Sequence, residues 1–266
     1  MAKSSIEWTE KVWNPTTGCN KVSAGCKNCY AEVMHRRLMK MQPNKYSRPF
    51  LDGAFEYEPA LIIPFQWKKP TLVFPTSMSD LFHVNISVEF IAKVYAIMFL
   101  TERHTYQMLT KRPQRRAEVL KSDEFFEYLW KYCNQYHDTY IKPLEQEMYS
   151  YEDIKALFPF KNIFEGTSIE DNNALTRADY LRETPATIRW ISVEPLLESI
   201  KDINLKGIDW LVVGGESGNK KRPHNADWFR ELRDKCKAEG VKFFMKQMDK
   251  VQVIPQDLMI RQTCTI

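Results

Sequence analysis

The sequence predicts an α/β fold, namely a full or partial (β/α) barrel of about six or seven parallel strands with helical insertions. Short apolar runs, typical of buried parallel strands, alternate with longer stretches whose apolar residues recur at helical spacing. Polar residues directly follow most of the predicted strands, where parallel α/β folds carry their functional side chains. A doubly wound open sheet is the alternative architecture.

The predicted elements follow one another along a single domain that spans residues 1–266. The strands are 71–74, 105–110, 162–167, 187–193, 209–213 and 241–245, after a short first strand near 12–16. The helices are 29–41, 87–103, one that begins at Pro113, 172–183 and 225–239. Prolines make 42–69 an irregular insertion, and the aromatic-rich stretch 123–158 reads as an enlarged helical connection.

Composition and charge restrict the class of protein. With 266 residues and 44% hydrophobic content, the chain can bury a large core. It has no apolar run long enough to span a bilayer, and residues 1–7 lack the apolar core of a signal peptide. We therefore expect a cytoplasmic protein with reduced thiols and no membrane partner. The net charge of +4 permits contact with a nucleic acid or a phosphorylated substrate without requiring it.

Three of the six cysteines lie in one loop, Cys19, Cys26 and Cys29, spaced C-x6-C-x2-C. Thiolates are soft ligands for iron or zinc, and Gly18 and Gly25 let the loop curl so that the three sulfurs point inward. A structural zinc site normally uses four protein ligands, whereas a cubane iron–sulfur cluster held by three cysteines leaves one iron open to a small molecule. A zinc knuckle completed by a remote ligand and ordinary core thiols are the alternatives.

Polar residues follow six of the predicted strands. Because parallel strands present their carboxyl ends at one rim, we expect these side chains to share that rim. They are Ser77 and Asp80, Lys111 and Arg112, Ser168 and Glu170, Glu194, Glu216 and Ser217, and Lys246. A carboxylate at the end of an apolar strand is expected to be hydrogen-bonded or paired, since an isolated buried charge is costly. Several of the serines and aspartates could instead act as helix N-caps.

A three-cysteine loop ahead of a helix, opening a (β/α) barrel, resembles the radical S-adenosylmethionine (SAM) enzymes. The chain keeps the C-x2-C half of their usual C-x3-C-x2-C spacing and lengthens the first gap to six residues. It more closely resembles a phage and bacterial family of radical-SAM-like proteins with no settled function, often encoded beside a three-Cys-motif partner protein. This resemblance covers nearly the whole chain and rests on segments 6–9, 13–15, 19–30, 77–83, 109–113, 192–197, 214–218 and 243–247.

The resemblance implies a radical SAM enzyme. Cys19, Cys26 and Cys29 would hold a [4Fe–4S] cluster whose fourth iron chelates SAM. One electron from an external donor would then yield a 5′-deoxyadenosyl radical that abstracts hydrogen from a substrate. The residues expected to contact SAM are Ser77, Asp80, Lys111, Ser168, Glu170 and Glu194, with Asp80 the natural partner for its ammonium group. The residues expected on the substrate side are Arg112, Glu216, Ser217 and Lys246.

The substrate and partners follow less directly. A nucleic acid, a nucleoside and a peptide are each compatible with the sequence, and the resemblance adds a three-Cys-motif partner protein. A second hypothesis is a zinc-stabilised nucleic-acid-binding module without redox chemistry, in which basic clusters contact phosphates. A third is a metal-free structural or partner protein with the cysteine loop in its core. Metal analysis separates the first two, because one zinc and no iron would favour the module, and folding that is insensitive to chelators would favour the third.

Overall fold

The structure, a computed structural model, describes residues 6–142, 148–218 and 220–265. In chain order its strands are β1 (Lys11–Trp13), β2 (Thr16–Thr17), β3 (Phe55–Glu56), β4 (Leu72–Pro75), β5 (Thr105–Thr110), β6 (Ile163–Ser168), β7 (Ile188–Val193), β8 (Trp210–Gly214) and β9 (Lys242–Gln247). Its α-helices are α1 (Tyr30–Met41), α2 (Val88–Leu100), α3 (Pro113–Val119), α4 (Asp123–Tyr140), α5 (Tyr151–Leu157), α6 (Arg177–Glu183) and α7 (Ala226–Glu239). Residues 1–5 and part of the predicted connection at 123–158 lie outside the described residues.

Seven parallel strands form the main sheet, in the order β1-β4-β5-β6-β7-β8-β9. This order follows the chain, so every crossover steps in the same direction. Right-handed crossovers that always step the same way place the helices on one face and curve the sheet, as in a barrel, whereas a doubly wound sheet reverses its order. The predicted partial (β/α) barrel is therefore confirmed, with seven strands. A separate antiparallel pair joins β2 to β3.

Aromatic side chains fill the face of the sheet that the helices leave uncovered. Trp190 on β7 and Trp210 on β8 have ring centroids 5.3 Å apart. Trp8 packs edge-on against Trp190 at 5.0 Å, and Phe244 on β9 packs edge-on against Trp210 at 6.1 Å. Because these rings occupy the early part of the strands, the space left for a ligand lies toward their carboxyl ends.

The helices cover the opposite face through two apolar clusters. One joins α2 and α4 to β4, β5 and β6, and the other joins α6 and α7 to β7, β8 and β9. The predicted connection at 123–158 contains helices α4 and α5, and α4 packs over α2. In the described part of the chain, no helix combines the length and the apolar character needed to cross a membrane.

A buried ion pair ties the helices to the sheet. Arg116 on α3 and Glu165 on β6 are 0% and 2% exposed, and Arg116 Nη1 lies 3.2 Å from Glu165 Oε2. The same nitrogen donates to the Gly166 carbonyl at 2.6 Å, and the Tyr95 hydroxyl donates to Glu165 Oε1 at 2.6 Å. Burial raises the pKa of Glu165, although the charge of Arg116 opposes that rise. Each charge therefore depends on the other for its stability in the core.

We expect Arg116→Met to lower the free energy of unfolding by about 3–5 kcal/mol, because it leaves Glu165 buried without its cation. The double variant Arg116→Met/Glu165→Leu removes both charges and should recover most of that loss. Urea unfolding followed by circular dichroism measures both values. A double variant as unstable as the single one would contradict this account of the pair.

Candidate functional site

The three clustered cysteines meet at one cavity. Cys19, Cys26 and Cys29 all line a space of about 140 Å³ beside the carboxyl ends of β4, β5 and β6. The predicted site residues that line the same cavity are Ser77, Asp80, Lys111, Arg112 and Ser168. These five residues were expected at one rim of the sheet, and they lie together there.

A short antiparallel pair positions the start of the cysteine loop. Directly after β2, Gly18 adopts a φ of +76°, and a Cβ at this position would lie 2.3 Å from the Gly53 carbonyl oxygen. The Cys19 N–H donates to the Phe50 carbonyl at 2.8 Å, and the Ser79 hydroxyl donates to the Gly18 carbonyl at 2.6 Å. These contacts fix Cys19 beside the loop that follows β4.

Glu170 supports the middle of the loop. Its carboxylate is fully buried, accepts from the Ser23 hydroxyl at 3.0 Å and from Arg177 Nη1 at 2.9 Å, and forms an ion pair with Lys111. A Cβ at Gly25 would lie 2.5 Å from the Glu170 side chain, so glycine lets the loop rest directly on this carboxylate. Two cations share one carboxylate here, which leaves an excess of positive charge close to the thiols.

A second set of contacts holds the loop from the other side, and we call it the Arg222 clamp. Arg222 pairs with Glu216, with Nη2–Oε1 at 2.5 Å and Nε–Oε2 at 2.9 Å, and its Nη1 donates to the Ala24 carbonyl at 3.0 Å. Asn28 Nδ2 donates to Glu216 Oε2 at 3.0 Å and to the Lys220 carbonyl at 2.8 Å. Burial acts to raise the pKa of Glu216, but its bonds with Arg222 and Asn28 outweigh burial and lower it. Glu216, predicted on the substrate side, lies within this clamp.

Asp80 is engaged on both oxygens. Its Oδ1 accepts from the Phe82 N–H at 3.0 Å and from the Thr110 hydroxyl at 2.7 Å. Its Oδ2 accepts from the Lys111 N–H at 3.1 Å and from Arg112 Nη1 at 2.9 Å. A carboxylate offers about four acceptor positions, so these bonds use its whole capacity. Asp80 thus positions the loop between β5 and α3, and an ammonium group would have to replace one of these donors.

The electrostatic environment differs among the three thiols. Burial raises the pKa of Cys19 to about 11 and also raises the pKa of Cys29. Burial acts the same way on Cys26, but the charge of Lys111 and hydrogen bonds from the loop outweigh it, so the pKa of Cys26 is lowered. Arg112 Nη1 lies 3.6 Å from Cys19 Sγ. Cations beside buried thiols favour the thiolate form that binds a metal.

Cys19, Cys26 and Cys29 share a cavity, but they are not placed to bind one metal ion together. Within residues 6–142, 148–218 and 220–265, no group of three or more His, Cys, Asp or Glu side chains is placed to share one metal ion. Ligands of a structural zinc site converge on one ion in this way. A cubane instead takes each thiolate on a different iron, so it needs thiols spread around a cavity. Cys19, Cys26 and Cys29 line one cavity, and they are the residues that would hold a cubane if one is bound.

The other predicted site residues lie outside this cavity. Glu194, after β7, forms an ion pair with Lys246 on β9 at 3.0 Å. Each charge is therefore neutralised by the other at the rim. Ser217 is partly buried in the loop after β8. A larger cavity of about 600 Å³ lies at the opposite end of the sheet, near the start of β9, and contains none of the predicted site residues.

Four residues that shape the site were not predicted from the sequence: Ser23, Asn28, Arg177 and Arg222. Arg177 carries a usable signal, because a cation in the first turn of a helix is disfavoured by the helix dipole and calls for a specific partner. Arg222 sits in a basic run in which nothing distinguishes it from its neighbours. Ser23 and Asn28 are ordinary loop residues until their distant partners are known.

We expect Arg222→Met to release the cysteine loop, because the substitution removes hydrogen bonds to Glu216 and to the Ala24 carbonyl. Hydrogen exchange of the amides in residues 19–29 should accelerate about tenfold, as expected for the loss of charged hydrogen bonds. Arg233→Met is the matched control, since Arg233 pairs with Asp234 and Asp257 on a distant helix face. Equal exchange in the two variants would mean that the clamp does not hold the loop.

Comparison with known proteins places the chain in a family. A family model described as a protein of unknown function (DUF5131) matches residues 3–260. No curated protein and no solved structure matches the chain. The family match spans the cysteine loop and all seven strands of the main sheet. The chain is therefore a member of the DUF5131 family.

Proposed function

We propose that this protein is a radical SAM enzyme in which Cys19, Cys26 and Cys29 hold a [4Fe–4S] cluster with one iron left open to SAM. The observation that carries this proposal is that the three thiols line one cavity at the carboxyl ends of parallel strands. Active sites of parallel α/β barrels lie at this end of the strands. Three cysteines rather than four leave a position on the cluster for a small molecule.

Cys19, Cys26 and Cys29 would hold the cluster, which would supply one electron for reductive cleavage of SAM and so the radical chemistry that removes hydrogen from a substrate. The chain itself contributes position and charge. Glu170 and the Arg222 clamp hold the cysteine loop from two sides. Lys111 and Arg112 would offset the negative charge that three thiolates carry when they hold a cluster. The aromatic side chains around Trp190 and Trp210 fill the early part of the barrel and leave no polar surface there for water.

Side chains on the cavity wall suit the polar parts of SAM. Lys111 has three N–H donors, so its bond to Glu170 leaves donors for a carboxylate. Ser77 and Ser168 line the same wall and offer hydroxyl groups. A volume of about 140 Å³ is small for such a ligand, because ligand sites usually span about 300–1,000 Å³. We expect the hydrogen bond from Arg112 Nη2 to Asn20 Oδ1, 2.5 Å long, to open when SAM binds.

After anaerobic reconstitution, the protein should contain about four irons per chain, as a [4Fe–4S] cluster requires. Cys26→Ala should lose this iron, because the cluster loses one of its three ligands. Cys264→Ala is the matched control, since Cys264 is buried away from the cavity and should keep the full iron content. Iron and zinc are measured by elemental analysis of the purified protein.

Two outcomes of that analysis would contradict the proposal. Iron retained in full by Cys26→Ala would show that this cysteine is not a ligand. One zinc per chain with no iron would favour the zinc-stabilised nucleic-acid-binding module instead.

In protein that has taken up its full iron, Lys111→Met should raise the KM for SAM about tenfold, because the cavity wall loses a cation that would bind the SAM carboxylate, while Arg177 and Ser23 still hold Glu170. The readout is the rate at which the reduced protein forms 5′-deoxyadenosine at varied SAM concentrations. Lys131→Met on α4 is the control, because Lys131 is exposed and lies outside the cavity lining. A KM for SAM that is the same in both variants would show that Lys111 does not contribute to SAM binding.

A further inference from the structure

A second cavity adjoins the one lined by the cysteines, and we call it the basic groove. It has a volume of about 360 Å³ and lies between the loop after β4, the start of α3 and the start of α6. Lys111 and Arg112 line both cavities, so their side chains form the wall between them. A molecule bound in the groove therefore lies next to the thiols.

The wall of the groove carries more positive than negative charge. Four cations line it, Lys111, Arg112, Arg115 and Arg177, against the single carboxylate of Glu118. The carboxylates that pair with three of these cations, Asp80 and Glu170, are buried and do not line the groove. An anion in the groove would therefore contact N–H groups on several sides.

Arg115 is fixed by backbone carbonyls and not by a carboxylate. Its Nη1 donates to the His83 carbonyl at 2.6 Å, and its Nη2 donates to the Ile86 carbonyl at 2.7 Å. Carbonyls carry no net charge, so these bonds fix the guanidinium without neutralising it. A planar guanidinium fixed in this way matches the geometry of a phosphate group.

Apolar side chains share the groove with these cations. Val84, which is 72% exposed, and Tyr180 on α6, which is partly buried, both line the groove. An aromatic or apolar surface beside fixed guanidiniums suits a nucleotide, whose base packs on the former and whose phosphate binds the latter. The volume of about 360 Å³ falls within the usual range of small-ligand sites, about 300–1,000 Å³.

From these contacts we infer that the basic groove binds the phosphate and base of one nucleotide unit of the substrate, either a free nucleotide or one residue of a single-stranded nucleic acid. The inference rests on the proposed function only in calling this ligand the substrate. Binding of the nucleotide unit itself needs no cluster and no SAM.

The test is fluorescence anisotropy with the full chain and a labelled single-stranded oligonucleotide of mixed sequence. Val84→Asp places a carboxylate on the groove wall, and we expect it to weaken binding about tenfold through charge repulsion. Val253→Asp is the control, because Val253 is 87% exposed in the loop after β9 and lies outside the groove. Both valines are exposed, so neither substitution removes core packing.

Competition separates the two sources of the ligand. A nucleoside monophosphate that displaces the oligonucleotide at comparable concentration indicates a free nucleotide, and one that fails to displace it indicates a strand. Inorganic phosphate that competes as well as the monophosphate would overturn the inference, because the base would then play no part. Absence of binding, or equal affinity of the Val84→Asp and Val253→Asp variants, would also overturn it.

Iron content measured on the same samples keeps this inference distinct from the proposed function. Protein with its full iron that binds no nucleotide would overturn the groove assignment and leave the cluster intact. Protein that binds the oligonucleotide through the groove but takes up no iron would overturn the proposed cluster and leave the groove assignment intact.

Discussion

The site depends above all on one buried carboxylate, that of Glu170. A fully buried charge is stable only when it is paired and hydrogen-bonded, and Glu170 meets this requirement with Lys111, Arg177 and the Ser23 hydroxyl. These three partners come from the loop after β5, from α6 and from the cysteine loop. The same ion cluster lowers the pKa of Cys26 through Lys111. The pKa of Cys26 and the position of its loop therefore both depend on this ion cluster.

The two ends of the barrel strands differ in the side chains that they carry. Aromatic side chains around Trp190 and Trp210 pack against the early part of the strands. They make this end of the barrel rigid and apolar. The carboxyl ends carry the ions, and the loops between strand and helix fold over them. Three such loops converge on the thiols, and the Arg222 clamp adds a fourth from after β8. A parallel sheet makes this arrangement natural, because all its strands end at the same rim.

The sequence predicted best those features that depend on residues close together in the chain. Strand β5 has the predicted bounds, and the other main strands after residue 70 lie within two residues of theirs, because a short apolar run between turn residues allows few other structures. The meeting of Cys19, Cys26 and Cys29 was also predictable, since all three lie in one loop. Long-range pairings were not: the bond from Arg222 to the Ala24 carbonyl spans 198 residues. Likewise, the full engagement of Asp80 by its own chain could be seen only in three dimensions.

The cavity and the basic groove share the wall formed by Lys111 and Arg112, so a radical formed on one side would be close to a substrate bound on the other. Electron paramagnetic resonance of the reduced, reconstituted protein tests the proposal that the cluster has one iron open to SAM. The account predicts that adding SAM changes the spectrum of the reduced cluster, because SAM binds an iron directly. A cluster spectrum that SAM leaves unchanged, with SAM in excess, would contradict it.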